Sequence, residues 1–129
     1  MRRVLLFAAF LVLAALPAAA QDPVKVDSKH YKVEFENAQV RVLRFHYGPH
    51  EKSVMHSHPN LVLVALTDGK VRFELPDGKT QETDMKANQA TWNEAGTHNP
   101  ENMSDKPIEG ILIEMKAKAA PPAAQGESP

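Results

Sequence analysis

No cysteine occurs in the 129 residues. Thiolate chemistry, lipid attachment through cysteine and stabilisation by disulfides are thereby excluded. A basic excess is missing too: 15 Lys and Arg stand against 16 Asp and Glu, a formal net charge of −1. Nucleic acid and anionic lipid call for a basic patch, so neither is an expected partner. The chain also lacks a nucleophile triad, a phosphate-binding glycine loop and a dinucleotide fingerprint. No amphipathic helix of useful length can be traced.

The one long hydrophobic run falls short of a membrane span. It extends unbroken from Val4 to Leu16, follows the basic start Met1-Arg2-Arg3, and precedes Ala18-Ala19-Ala20. A spanning helix needs ~20 apolar residues, whereas a basic start, a short apolar stretch and small residues make an export signal. Residues 1–20 therefore read as a signal peptide cleaved after Ala20. The mature chain is expected in the periplasm or secreted, with no stable membrane insertion. Removing Arg2 and Arg3 leaves 13 basic against 16 acidic residues, a formal charge of −3. Without disulfides, stability must come from a buried core, helped by a metal or a partner subunit if either is present.

Residues 21–30 read as a polar leader. From Tyr31 the pattern changes to short alternating segments, which define one domain over residues 31–116. Tyr31, Val33 and Phe35 share a face, and Asn37-Ala38 turns the chain into Val40, Val42, Phe45 and Tyr47. The change of phase between Val42 and Leu43 predicts a bulge there. Further strands are expected at 54–58, 61–67, 70–75, 80–85, 90–92, 98–103 and 107–115. Asp68-Gly69 and Pro76-Asp77-Gly78 each read as a tight hairpin. Many short strands punctuated in this way predict an all-β sandwich or barrel. Residues 117–129, rich in Ala and Pro, are expected to be disordered.

Both faces of the 61–66 strand are apolar, with Leu61, Leu63 and Ala65 on one and Val62, Val64 and Leu66 on the other. Cover on both sides is implied, and a homodimer would supply it. Trp92, Phe35, Phe45 and Phe73 read most simply as core. Glu82, Asp84, Glu51 and Lys52 read as solvated charges.

Chemistry concentrates at His56-Ser57-His58. Two histidines at i and i+2 project to one side of a strand. With a third from another strand, His98, they would form a three-nitrogen metal site with an open position. Glu101 could add a carboxylate only if a bulge reversed the alternation from His98. His30, His46 and His50 read as surface or loop residues.

These residues resemble the cupin superfamily, small jelly-roll β-barrels that often hold a metal. His56, His58 and Gly69 match the first cupin motif, with His50 at its opening Gly position and Val62 at its Glu position. Gly96, His98 and Asn102 match the second, with one residue missing between Gly and His, Asn88 at the first Gly position and Glu94 at the Pro position. Asn and His enter the left-handed region at modest cost, so those two turns can survive. Val in place of Glu removes a ligand. The stretches Val54-Met55-His56-Ser57-His58-Pro59 and Ala95-Gly96-Thr97-His98 are similar to those of small cupins.

The resemblance implies a jelly-roll fold and a divalent transition metal (Zn, Fe, Mn, Ni or Cu) held by His56, His58 and His98. A small metal-dependent enzyme acting on a small molecule is one functional expectation. A non-catalytic module for a small ligand or metal is the alternative, and a degenerate barrel kept for protein association is a third. No general base can be named. Metal affinity is expected to fall as pH drops through the ordinary histidine range, ~6.5.

Overall fold

The computed structural model describes residues 21–117; the expected signal peptide and nearly all of the expected tail lie outside them. The strands are β1 (Tyr31–Glu36), β2 (Val40–Tyr47), β3 (His56–His58), β4 (Leu61–Ala65), β5 (Gly69–Glu74), β6 (Thr80–Met85), β7 (Ala90–Asn93), β8 (Gly96–Asn102) and β9 (Ile108–Met115). They form two antiparallel sheets, a five-stranded one ordered β1-β2-β9-β4-β7 and a four-stranded one ordered β3-β8-β5-β6. This is the expected all-β jelly roll. Leu43, Phe45, Leu61, Val71, Ile108 and Leu112 are buried in the core. Among the described residues, no helix is long and apolar enough to cross a membrane.

The turns obey local chemistry, with one exception. Asn37 Oδ1 accepts from the amides of Gln39 and Val40, at 2.8 and 2.9 Å, and closes the β1–β2 hairpin. Pro76-Asp77-Gly78 closes β5–β6, with Gly78 at φ +84°. Asp68-Gly69 is not a hairpin: β4 pairs with β7 and β9, while β5 pairs with β6 and β8, so the chain crosses between sheets here. Gly69 is required for proximity instead, since a Cβ on it would lie 2.4 Å from Ile108 Cγ2. Among the described residues, the non-glycine residues at positive φ are His50 (57°) and Asn88 (69°), the two that replace motif glycines.

The bulge sits on the partner of the strand in which it was expected. Val33 pairs with Leu43 and Phe35 with Val42, so Glu34 of β1 is the extra residue, while β2 runs in unbroken register with β9. Both Val42 and Leu43 are buried, Leu43 in the core and Val42 on the other face between Phe35 and Ile113. Phe35 and Trp92 are 55% and 53% exposed, against the expectation of core. They end one apolar row, Phe35–Val42–Ile113–Val62–Trp92, that crosses the outer face of the five-stranded sheet.

The leader is part of the fold. Asp22 caps a four-residue helix, α1 (Pro23–Val26), by accepting from Val24 N at 3.0 Å, and Pro23 sits where its missing N–H costs nothing. Pro23 and Asp27 are buried. Asp22 pairs with Arg41 of β2, and Gln21 O accepts from Ser57 N at 2.8 Å. That last bond ties the leader to the strand carrying the histidine pair.

Candidate metal centre

Strand register brings the three histidines together. His56 stands opposite His98 across β3 and β8, and His58 stands opposite Gly96. Cross-strand partners project to the same face, and alternation puts His58 there as well. One ring nitrogen from each of the three lies within 4.8 Å of the others. Gly96 leaves the space beside His58 open. His56 and His58 are buried, and His98 stacks on Phe73 with centroids 4.8 Å apart and planes 29° from parallel.

Hydrogen bonds fix the tautomers of the pair. His56 Nδ1 donates to Val54 O at 2.9 Å, because a carbonyl can only accept. His58 Nδ1 donates to Glu114 Oε2 at 3.2 Å. Burial alone would raise the Glu114 carboxyl, but hydrogen bonds from His58 and Arg41 outweigh it and hold the group below its ordinary range. Arg41 Nε reaches the other oxygen at 2.7 Å. With Nδ1 protonated on both rings, the two Nε2 atoms carry lone pairs, and they face one another at 3.0 Å. Bare lone pairs at that separation repel unless a cation joins them. Ligating nitrogens ~2.0–2.1 Å from a tetrahedral ion would stand about 3.3 Å apart, so the spacing fits a metal. A carboxylate holding the far nitrogen of a histidine is the usual outer support of such a ligand.

Burial keeps the His56 and His98 imidazoles neutral. Burial, then the neighbouring His58, pushes His56 down to about 4. Burial, then His58 and His56, pushes His98 down to about 3. Protons therefore compete for these two ligands at lower pH than the ordinary range expected for them.

Beside the centre lies a hydroxyl. Tyr31 Oη is 3.3 Å from His56 Nε2 and 2.5 Å from Tyr47 Oη. Burial, with Tyr47 beside it, raises the Tyr31 phenol well above its usual value, so it stays protonated and can donate to the bare nitrogen. Behind the tyrosines sits a second buried histidine. His30 stacks on Tyr47 at 4.3 Å, with Asp27 on Nδ1 and Glu51 on Nε2, each at 2.7 Å. Asp27 also accepts from Ser53 Oγ at 2.5 Å. His30 is thus a buried residue rather than the surface one expected, whereas His46 is exposed and His50 meets Asp105 on the surface.

Several contributors escaped the sequence reading. Val62 belongs to the outer apolar row, and the residues of β4 that line the cavity with His58 are Leu61 and Leu63. Leu63 has no donor either, so the fourth side is apolar. Glu101 pairs with Arg72 and Lys52 across the strands and is not among the clustered ligand atoms. Asn102, the last residue of the second motif, is wholly buried and donates to Gly48 O at 2.9 Å and Lys106 O at 2.8 Å. It fixes the loops and is not a ligand. Glu114 and Arg41 could have been found by parity. Glu114 shares the inward phase of Ile108, Gly110 and Leu112, and Arg41 that of Leu43 and Phe45, so both charges were placed toward the interior.

A cavity of about 220 Å³ leads from the histidines to solvent between β6 and β7. Phe45, Leu61, Leu63, Val71, Phe73 and Leu112 line its interior, and Thr83, Asp84, Lys86, Thr91, Asn93 and Glu94 its mouth.

No family model and no curated protein matches the chain. Solved structures do. A cupin domain from Bordetella pertussis Tohama I is similar at 27% identity, covering 67% of this chain and 92% of that one, with a TM-score of 0.63. A conserved protein with a double-stranded β-helix domain from Klebsiella pneumoniae is similar at 17% identity, covering 66% and 74%, with a TM-score of 0.53. An RmlC-like cupin family protein from Methanocaldococcus jannaschii is similar at 15% identity, covering 69% and 83%, with a TM-score of 0.51. The two weaker likenesses speak for the fold alone. The two antiparallel sheets, the histidine trio on β3 and β8 and the likeness to the Bordetella cupin domain together put the chain in the cupin superfamily.

Proposed function

We propose that this chain is an exported, metal-binding cupin that acts on a small molecule admitted between β6 and β7. His56, His58 and His98 hold a divalent transition metal. The observation that carries this reading is the pair of bare Nε2 atoms facing at 3.0 Å, each fixed by a partner on its own Nδ1. Once bound, the ion supplies Lewis acidity or, if it is iron or copper, redox chemistry. The chain supplies the rest. Arg41 and Glu114 orient His58, Val54 O orients His56, and the Tyr31 hydroxyl is placed to give or accept a hydrogen bond at the centre. The interior wall excludes water from one side of a ligand. The positioned Tyr31 favours an enzyme. Leu63 offers no base beside the histidines and Glu114 is engaged by His58 and Arg41, which favours a non-catalytic binding module as the second reading.

Metal content after dialysis at neutral pH tests the site. The parent should retain one ion per chain, His58→Ala and His98→Ala should lose it, and exposed His46→Ala should keep it. Equal retention in all four would sink the assignment. Export belongs to the same proposal: mass spectrometry of the protein from an exporting host should find Gln21, within a residue or two, as the N-terminus. So does a homodimer, with a second copy covering the Phe35–Trp92 row. Sedimentation at micromolar concentration should give twice the monomer mass, and Trp92→Glu should halve it.

A further inference from the structure

The lining of the cavity goes further and narrows the class of ligand. On the reading that the histidines hold a metal, we infer that the ligand is a small molecule with one nitrogen or oxygen donor and an uncharged, compact apolar body. It enters donor first between β6 and β7. Three observations carry this. Beyond the Tyr31 and Tyr47 hydroxyls beside the histidines, the interior walls offer a ligand mainly aliphatic and aromatic carbon, so a polar group on the ligand body away from the donor end would be buried without a partner, which is unfavourable. The mouth and margins carry three carboxylates, Asp84, Glu94 and Glu101, against the single ammonium of Lys86, and no arginine lines the cavity among the described residues. A second carboxylate on the ligand would therefore meet repulsion at the rim, whatever charge its donor end carries at the metal. Phe73, stacked on His98, brings aromatic carbon to the cavity wall beside the donor end, which suits an apolar ligand body.

Three probes of one donor type separate these factors: imidazole, 4-phenylimidazole and 4-(imidazol-4-yl)benzoate. They are titrated at neutral pH into cobalt-loaded protein and followed by the visible cobalt spectrum. Burying the phenyl ring should make 4-phenylimidazole bind roughly tenfold or more tighter than imidazole. Adding the carboxylate at the far end should cancel most of that gain. Thr91→Trp, at an exposed position of the mouth, should remove the advantage of 4-phenylimidazole and leave the cobalt spectrum of the unliganded site and the binding of imidazole unchanged. The body of the probe is tested without metal as well. In metal-free protein, millimolar 4-phenylimidazole should shift the NMR signals of Phe45, Leu63 and Leu112, and imidazole should not. Loss of cobalt binding with those shifts intact would remove the metal reading alone. A 4-phenylimidazole affinity no greater than that of imidazole, a carboxylate probe that binds more tightly than 4-phenylimidazole, or metal-free shifts confined to other residues would overturn the inference.

Discussion

The barrel buries histidines in two neighbouring places, and the two are built in opposite ways. His30 has a carboxylate on each ring nitrogen, Asp27 on one and Glu51 on the other, and a tyrosine ring against its face. Its hydrogen-bonding capacity is used up. Near it, His56 and His58 have close partners on Nδ1, while their Nε2 atoms face each other and His98, with the Tyr31 hydroxyl 3.3 Å from that of His56. A buried polar group without a partner is costly, so on the proposed reading a bound metal completes this second cluster. Burial alone does not mark a functional histidine. The number of its nitrogens left without a partner does.

The largest effect that separates the two clusters is that of acid on the metal-free protein. His56 and His98 have folded pKa values of about 4 and about 3, below the unfolded value of about 6.5. Between those limits the unfolded chain holds more protons than the folded one, so stability falls as pH drops from 6.5 toward 4. Above 6.5 both states are neutral at these groups and the contribution vanishes. His56 alone should account for about 3 kcal/mol at pH 4, measurable as a falling denaturant midpoint. Saturating zinc should hold that midpoint up until the pH is well below 6.5. An acid profile that is flat over this range would break the comparison.

Next comes His30→Ala. It leaves Asp27 buried without its partner and opens a cavity against Tyr47, at a cost of about 2–4 kcal/mol. The folded fraction should still bind one zinc, which calorimetry would show. Glu114→Gln conserves volume but leaves one oxygen to accept from either His58 or Arg41 and turns an NH2 toward the other donor, so it should weaken zinc binding about 10–100-fold. The smallest expected effect is that of His98→Leu on the metal-free protein: less than about 1 kcal/mol, of either sign, because no bond is lost and lone-pair crowding is relieved. A large destabilisation there would show that His98 is structural, as His30 is.

The parts of this arrangement that rest on local chemistry could be read from the chain. Alternation gave the His56 and His58 face, and the resemblance to the cupin motifs set His50 and Asn88 at glycine positions that both residues can fill, where the structure has them at positive φ. Asn37 and Pro76-Asp77-Gly78 turn the chain because their side chains and φ preferences act within a few residues. Gly69 shows where that logic stops, because its role is to admit Ile108, and proximity leaves no local signature. The His30 cluster joins residues 27, 30, 47, 51 and 53, whose meeting depends on how α1 packs against the barrel. Phe35 and Trp92 carry the residue type of a core but stand exposed on the outer face, since type alone does not choose between two apolar faces of a sheet. Glu114 is a different case. Its inward phase was visible in the sequence, and a carboxylate pointing into an apolar barrel already asked for a partner.

Anomalous diffraction from crystals grown with zinc tests the central claim most directly, because both clusters are seen at once. One peak is expected, ~2.0–2.1 Å from a ring nitrogen of each of His56, His58 and His98, with His30 still bridging Asp27 and Glu51. A peak at the His30 carboxylates, or none at the histidine trio, would contradict the account.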